Sequence, residues 1–224
     1  MKHEIRVGTP DNLEEIWEGS YKLFSWLEYV VTIPHPMFLI TTRKANGAPN
    51  ACLHSWGFLT GDRDNFTSIL SVLDYYHTHE NILREGEWCL NFPSVDDYEK
   101  CFETIYVNEA DNDEITEAGL TVESSQVIQA PRIAECHINL ECQLEWHRPL
   151  YEDSQWHLMA GRVVHVAMDE KALPVDPTER MRNMRLMYNI RGTIDPVSGE
   201  IYGPNSLGLL SEVVKAFDPD ANSS

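Results

Sequence analysis

The segment from His77 to Asn81 carries side chains that together could hold an anion. It reads His-Thr-His-Glu-Asn, with Thr78 placed to cap a helix that would end at Gly86. A helix start presents unpaired backbone N–H groups and a positive dipole end, so a phosphate can bind there. Thr78 and Asn81 would add hydrogen bonds, and His77 and His79 would add positive charge. Capping of the helix explains Thr78 equally well without any ligand.

Two histidines separated by one residue also raise the question of a metal site. Metal sites in proteins need three or four ligands at suitable spacing, and no third ligand accompanies His77 and His79. The cysteines form no CxxC pair, so we expect them to be reduced and mostly buried. They are Cys52, Cys89, Cys101, Cys136 and Cys142. We predict no metal site, and metal binding by the two histidines stays the weaker alternative.

A predicted hairpin precedes the histidine segment. Residues 37–42 are apolar and β-branched, as strands are, and Asn46-Gly47 tolerates the positive φ angles of a tight turn. The returning strand, residues 48–56, is rich in small residues, so a flat ligand can approach its backbone. Its polar and aromatic residues also have structural explanations, since Asn50 can satisfy a turn and Trp56 can fill the core.

Further strands and helices must position these two segments. Apolar or alternating runs predict strands at residues 66–73, 87–92, 134–146 and 156–168, whereas residues 60–65 and 108–117 read as polar loops. Asp11 and Glu14 have the spacing of a capping box and predict an N-terminal helix. A basic helix is predicted over residues 178–187. We expect one domain, residues 1–224, with the N-terminal helix at about 11–30, a barrel at about 36–170, and a C-terminal helix and tail at about 178–224.

The composition excludes several function classes. The chain of 224 residues has a formal net charge of −19, which repels nucleic acid and anionic lipid surfaces. No window reaches the roughly 18 uninterrupted apolar residues of a membrane span, and the N-terminus lacks the apolar core of a signal peptide. We therefore expect a soluble, cytoplasmic protein that binds neither nucleic acid nor membranes.

Short motifs along the chain share their order and spacing with a known family. They lie at residues 36–42, 47–51, 55–56, 77–82, 86–93, 119–121, 131–136, 140–142 and 161–163. In this order they resemble the flavin reductase-like, FMN-binding split-barrel family, which includes the flavoredoxins. The resemblance covers roughly residues 20–173.

This resemblance implies a mainly β fold, namely a six-stranded antiparallel Greek-key split barrel with appended helices. Such proteins usually form homodimers and hold FMN noncovalently near the subunit interface. Matching positions place the FMN contacts on the strand after the hairpin, at the helix start and at the end of the next strand. Asn50, Ala51 and Cys52 would line the isoalloxazine ring, and Ser55 and Trp56 would lie nearer the ribityl and phosphate end. The residues at the helix start, His77, Thr78, His79 and Asn81, would reach the phosphate. Asn91, Phe92 and Pro93 would lie at the edge of the flavin.

The resemblance also implies the chemistry. FMN would carry the redox step, so no side-chain nucleophile is needed, and we assign no catalytic residue and read Cys52 as a small packing residue. We predict a flavin-dependent oxidoreductase, either an NAD(P)H:flavin reductase or a flavoredoxin-like carrier with a protein electron donor. The sequence has no GxGxxG motif, so a nicotinamide would bind on the flavin face. The alternative is a nonredox ligand-binding barrel, or a metal-binding protein that uses His77 and His79.

Overall fold

The computed structural model describes residues 2–15 and 19–214. In that part of the chain the α-helices are α1 (Ser20–Leu23), α2 (Leu27–Val31), α3 (His77–Glu85), α4 (Tyr98–Glu103), α5 (Glu114–Glu117) and α6 (Pro177–Met184). The strands are β1 (His35–Pro36), β2 (Phe38–Arg43), β3 (Pro49–His54), β4 (Gly57–Asp62), β5 (Asn65–Leu73), β6 (Glu87–Phe92), β7 (Val122–Glu123), β8 (Arg132–Ile133), β9 (Ile138–Pro149), β10 (Trp156–Met168), β11 (Met187–Arg191) and β12 (Ser206–Leu209). The protein is mainly β, as the sequence predicts.

One antiparallel sheet organises the fold. Its seven strands run in the order β3-β2-β6-β9-β10-β5-β4. The two end strands, β3 and β4, follow one another in the chain and are separated only by Ser55 and Trp56. The sheet therefore curls until its two ends are joined by one bend of the chain, as in a split barrel.

Strand β4 accounts for the difference from the six strands that the sequence predicts. It pairs with β5 along its whole length, from Gly57 opposite Leu70 to Asp62 opposite Asn65. Most of its side chains are exposed and its last residues are polar, so the sequence pattern of residues 60–65 is that of a loop. An edge strand can be exposed on one face or on both, so it need not show the apolar or alternating pattern by which strands are predicted. For this reason the sequence pattern does not predict β4.

The predicted hairpin is confirmed, and its inner face carries the core. Strands β2 and β3 pair from Phe38 opposite His54 to Arg43 opposite Pro49, and Gly47 has the positive φ angle of the turn, 89°. At Gly161 the pairing of β10 with β9 shifts register, and a Cβ there would lie 2.1 Å from Cη2 of Trp88. Glycine at this position therefore lets the buried Trp88 fill the barrel. The core cluster includes Phe38, Ile40, Leu70, Val72, Ile82, Trp88, Leu90, Leu140 and Met159.

The N-terminal helix predicted at about 11–30 is wrong in its extent. Residues 11–15 form a turn and extended chain, and the structure has two short helices, α1 and α2, in its place. Gly19, with φ of 78°, precedes α1, and the extended Phe24 ends it, so no continuous helix forms. Ile16 and Trp17, which support the prediction, lie outside the described residues. The basic helix predicted at 178–187 is confirmed as α6, but it ends at Met184, and Met187 begins β11.

Contacts between Cα atoms divide the described chain into two compact units, residues 2–15 and 19–36 with 188–208, and residues 37–187 with 209–214. In the first unit, β1 pairs with β11 and Arg191 Nη2 lies 3.0 Å from Glu28 Oε2. The second unit contains the seven-stranded sheet. The single-domain organisation stays a prediction. No helix in the described part of the chain is long and apolar enough to cross a membrane.

Candidate functional site

The structure brings together the hairpin and the start of α3, the two segments that the sequence singles out. The side-chain amide of Asn50 on β3 donates a hydrogen bond of 3.2 Å to the hydroxyl of Thr78. One turn further along α3, the amide of Asn81 donates to the hydroxyl of Thr42 on β2, at 3.0 Å. All four side chains are buried. Two polar contacts therefore fix the helix start against the hairpin.

The start of α3 differs in detail from the prediction. The helix begins at His77, so Thr78 lies in its first turn and is not the N-cap. The N-cap position is held by Tyr76, whose side chain makes no capping hydrogen bond. The residues on either side of Thr78 each carry a buried ring nitrogen, His77 Nδ1 and His79 Nε2. Neither nitrogen has a hydrogen-bond partner within residues 2–15 and 19–214. The helix start thus offers uncapped N–H groups beside two histidine rings.

A buried carboxylate occupies the free edge of β3 beside this helix start. Glu114 Oε2 accepts a hydrogen bond of 2.8 Å from the backbone N–H of Ala51, and Glu114 Oε1 lies 2.8 Å from Lys44 Nζ. Glu114 is 1% exposed and Lys44 is 5% exposed. Burial raises the pKa of Glu114, whereas Lys44, the Ala51 N–H and the nearby His77 act in the opposite direction.

Lys44 holds the whole segment that precedes α5. Its ammonium group donates to the backbone carbonyl and the side-chain oxygen of Asn112, both at 3.0 Å, and to the carbonyl of Glu109. The acidic segment 108–117 is therefore not simply the polar loop that the sequence predicts, because Glu114 and Ile115 are buried. Its end is bound to β3 by the hydrogen bond from the Ala51 N–H and to the hairpin turn by the ion pair with Lys44.

Cys52 lies on the same face of β3 as Asn50. Burial raises the pKa of its thiol to about 12, although a hydrogen bond with Thr78 favours the thiolate. The thiol stays protonated near neutral pH, so it is not a nucleophile there. Ala51, between them, is buried and presents its N–H group to Glu114.

Ser55 and Trp56 lie at the bend between β3 and β4. Ser55 is buried, and Trp56 packs between two rings, with centroid distances of 5.2 Å to His54 and 5.5 Å to Trp156. His54 is fixed in turn by a contact of 2.9 Å between its Nε2 and the carbonyl oxygen of Ser71. Trp56 is therefore half-buried in an aromatic row at the point where the sheet bends.

The predicted residues on β6 are not brought to the helix start. Asn91 is paired with Leu39 and donates to the hydroxyl of Thr41 at 3.0 Å, on the sheet face opposite to that of Thr42 and Asn50. Its side-chain oxygen accepts from the Ile133 N–H and from Asn139. Phe92 packs against Phe38 in the core, and Pro93 is buried beyond the strand end. The hydrogen-bonding capacity of Asn91 is used within the fold.

A histidine cluster extends from α3 towards the far side of the barrel. The rings of His79 and His157 meet edge to face at 4.7 Å, and His147 stacks on His157 at 6.4 Å. Burial lowers the pKa of His79, and the positive charges of His157 and His147 lower it further, against the opposite effect of Asp74. Within the described residues, no three His, Cys, Asp or Glu side chains are arranged to hold a metal ion.

Sequence reasoning missed Thr42 and Glu114 as parts of this site. Thr42 is one of several β-branched residues in a strand, and nothing in its spacing marks it. Glu114 lies in an acidic run, where charge alone indicates a solvated surface. The one usable signal is the Asp113-Glu-Ile-Thr116 pattern, since Asp113 caps α5 through the N–H groups of Ile115 and Thr116. That pattern predicts a helix start and not a partner for Lys44.

Comparison with known proteins identifies the family. The model of the flavin reductase like domain matches residues 30–191. The chain belongs to this family. Among relatives, an uncharacterized protein of Aquifex aeolicus (strain VF5) is 25% identical over 176 residues, which cover 77% of this chain and 85% of that protein. As a flavin reductase-like protein, the chain is a flavin-related oxidoreductase.

Solved structures of flavin reductase-like proteins share the fold. Nitrilotriacetate monooxygenase component B from Bacillus cereus aligns over 96% of this chain and 100% of its own, with a TM-score of 0.74 and 22% identity. Flavoredoxin from Methanosarcina acetivorans aligns over 97% and 98%, with a TM-score of 0.68 and 18% identity. Flavoredoxin of Desulfovibrio vulgaris (Miyazaki F) aligns over 82% and 92%, with a TM-score of 0.60 and 20% identity. These likenesses confirm the split-barrel fold class.

Proposed function

We propose that this flavin reductase-like protein binds FMN against β3 and the start of α3 and works as an FMN-dependent oxidoreductase. The observation that carries the proposal is the hydrogen bond from Asn50 to Thr78. It joins the strand expected to line the flavin ring to the helix start expected to hold the phosphate. The residue types and spacing of both segments also predict these contacts from the sequence.

The helix start fits a phosphate group. The backbone N–H groups of its first turn receive no side-chain cap, and a helix N-terminus attracts anions. His77 and His79 contribute buried ring nitrogens that have no partner within the described part of the chain. In a chain of net charge −19, such a local set of donors is where a phosphate can be held.

Strand β3 fits the flavin ring. Asn50, Ala51 and Cys52 present small or planar side chains, and the neutral thiol of Cys52 adds no charge beside the ring. The N–H of Ala51 is held by Glu114, so contact between the ring and this strand falls to Cys52 and the neighbouring groups. Trp56, at the end of the strand, supplies a flat aromatic surface next to the ribityl end.

FMN, when bound, supplies hydride and single-electron transfer, and the chain's own residues bind and orient it. The electron donor is either NAD(P)H or a protein. A nicotinamide donor would make the protein a flavin reductase, and a protein donor would make it a flavoredoxin-like carrier. Glu114, as a buried carboxylate paired with Lys44, would keep water and bulk anions from the edge of β3.

We also propose that the protein is a homodimer through an apolar stripe across the outer face of the sheet. Register places Phe58, Ile69, Ala160 and Trp146 side by side on β4, β5, β10 and β9. Phe58, on the edge strand β4, is 58% exposed, and Trp146, on the inner strand β9, is 42% exposed. Light scattering should give twice the chain mass of 25.7 kDa, and Phe58→Glu with Trp146→Glu should halve the observed mass. A monomeric wild-type protein would contradict this interface.

Reconstitution with flavin tests the FMN proposal. The purified protein should be yellow or should take up added FMN, lose its colour with dithionite, and release the flavin on denaturation. A colourless protein that fails to take up FMN would contradict the proposal and favour the nonredox ligand-binding alternative.

Anaerobic stopped-flow mixing distinguishes the two electron donors. Rapid bleaching of the bound flavin by NADH or NADPH would identify a reductase. Inertness to both, with reduction by a small electron-transfer protein, would identify a flavoredoxin-like carrier.

A further inference from the structure

A cavity lies on the outer face of the β2–β3 hairpin. Its volume is about 300 Å³, near the lower end for ligand sites in proteins. The wall on the hairpin side is formed by Arg43 and Pro49, and the opposite wall by residues of the segment that precedes β8. That segment contributes Ser124, Ile128, Gln129 and Pro131. The cavity thus combines one cation, several polar groups and the four apolar side chains of Pro49, Val122, Ile128 and Pro131.

Among the cations of this acidic protein, Arg43 is the one that lines the cavity. The chain has 36 acidic and 17 basic residues, and basic side chains such as Lys44, Arg132 and Arg185 lie next to carboxylates. Within residues 2–15 and 19–214, no carboxylate forms an ion pair with Arg43. In the part of the chain that the structure describes, its side chain makes only one long hydrogen bond, of 3.4 Å, from Nη1 to the side-chain oxygen of Gln129. A guanidinium group in this state has donors left for a ligand.

Two glutamate carboxylates fix the backbone of the opposite wall by hydrogen bonds. Glu141 accepts hydrogen bonds from the backbone N–H groups of Gln126 and Val127, at 2.8 and 2.7 Å. Glu87 accepts from those of Gln129 and Ala130, at 2.6 and 2.9 Å. Both carboxylates are therefore engaged with the backbone and not with Arg43. The wall is preorganised, and none of the residues that line the cavity is acidic.

We propose that this cavity is a binding site for a small organic anion that has a carboxylate on an apolar ring or chain. The carboxylate would bind Arg43, because a guanidinium presents two parallel N–H groups that match its two oxygens. The apolar part would rest on Pro49, Ile128 and Pro131. The volume fits a molecule of about the size of a substituted benzoate and not a dinucleotide. The site does not depend on the proposed flavin function, since it lies on the opposite face of the hairpin from Asn50 and Thr78.

Titration with benzoate, followed by ligand-observed NMR, tests the site in the full chain. Benzoate should bind the wild type, and benzamide, which has the same ring without the charge, should bind about tenfold more weakly or not at all. Arg43→Gln should weaken benzoate binding on the order of tenfold or more. Arg63→Gln, which removes the same charge from the β4–β5 turn, should leave it within about twofold.

If Arg43→Gln does not fold, a second variant tests the same site. Ser124 is exposed at the rim, so Ser124→Trp should fill the cavity without disturbing the core, and benzoate binding should be lost. Binding should also persist when the protein is saturated with FMN. Displacement of benzoate by FMN, equal binding of benzoate and benzamide, or unchanged binding in both Arg43→Gln and Ser124→Trp would overturn the proposal.

Discussion

Asn50 on β3 and Thr78 on α3 are joined by a buried hydrogen bond of 3.2 Å, although they are 28 residues apart in the chain. The bond fixes the start of a helix against a sheet edge. Asn81 and Thr42 repeat the arrangement one turn later, at 3.0 Å. These two contacts turn separate sequence motifs into one site, in which the helix dipole, two histidines and a small-residue strand face the same region.

Loss of the Asn50–Thr78 contact should destabilise the fold. Thr78→Val removes the acceptor and leaves the buried amide of Asn50 without it, which should cost about 1–3 kcal/mol of unfolding free energy. A double-mutant cycle with Asn50→Ala, measured by urea unfolding, should give a coupling energy of about 1 kcal/mol. Strictly additive effects of the two substitutions would show that the side chains do not interact.

The buried pair of Lys44 and Glu114 should behave differently from an exposed ion pair. Lys44→Met leaves the carboxylate of Glu114 buried and uncompensated, so the unfolding free energy should fall by about 3–5 kcal/mol. Adding Glu114→Gln should recover a large part of that loss. The exposed pair of Lys100 and Asp97 is the control, and Lys100→Met should cost less than about 1 kcal/mol. Equal costs for Lys44→Met and Lys100→Met would be inconsistent with a buried ion pair.

The pH dependence of stability should report on His79. Burial lowers the pKa of His79 in the folded protein below the ordinary value of 6.5, so the unfolded chain takes up the proton first as the pH falls. The neutral ring therefore contributes stability that is fully present above pH 6.5 and is lost as the pH falls below it. Urea midpoints measured between pH 7.5 and 5.5 should decrease less in His79→Gln than in the wild type.

The control for this measurement is a histidine on β10. His165→Gln should keep the wild-type slope, because His165 is not part of the cluster formed by His79, His157 and His147. An identical slope in the wild type and in His79→Gln would refute the assignment to His79.

Local pattern predicts much of the fold. The β2–β3 hairpin follows from a β-branched run and an Asn-Gly turn, and the helix at α3 follows from residues 77–86, because these signals lie within a few residues of one another. The order of the motifs indicates the family. The prediction of one N-terminal helix is wrong, because the capping-box spacing of Asp11 and Glu14 carries no information about Gly19. The positive φ angle of Gly19 interrupts the segment.

Pairings between distant residues could not be predicted. Lys44 and Glu114 are brought together only by the fold, and an acidic run in isolation reads as a solvated loop. Asn91 shows the opposite case. Its neighbourhood matches the family motif, but the pleat turns its side chain to the face that carries Thr41, Ile133 and Asn139, where its hydrogen bonds are used.

The affinity of the protein for FMN relative to riboflavin tests the central claim most directly. Thr78→Ala with Asn81→Ala removes two hydrogen-bonding side chains from the proposed phosphate site, so FMN binding should weaken by about 3 kcal/mol, on the order of 100-fold. The same substitutions remove the contacts of the helix start with Asn50 and Thr42, so riboflavin, which has no phosphate, should also bind more weakly, but its loss should be at least about tenfold smaller than that of FMN. Asn65→Ala with Thr67→Ala on β5 is the matched control and should leave both affinities unchanged. An unchanged FMN affinity in the Thr78/Asn81 variant, or an equal loss for FMN and riboflavin, would contradict a phosphate site at the start of α3.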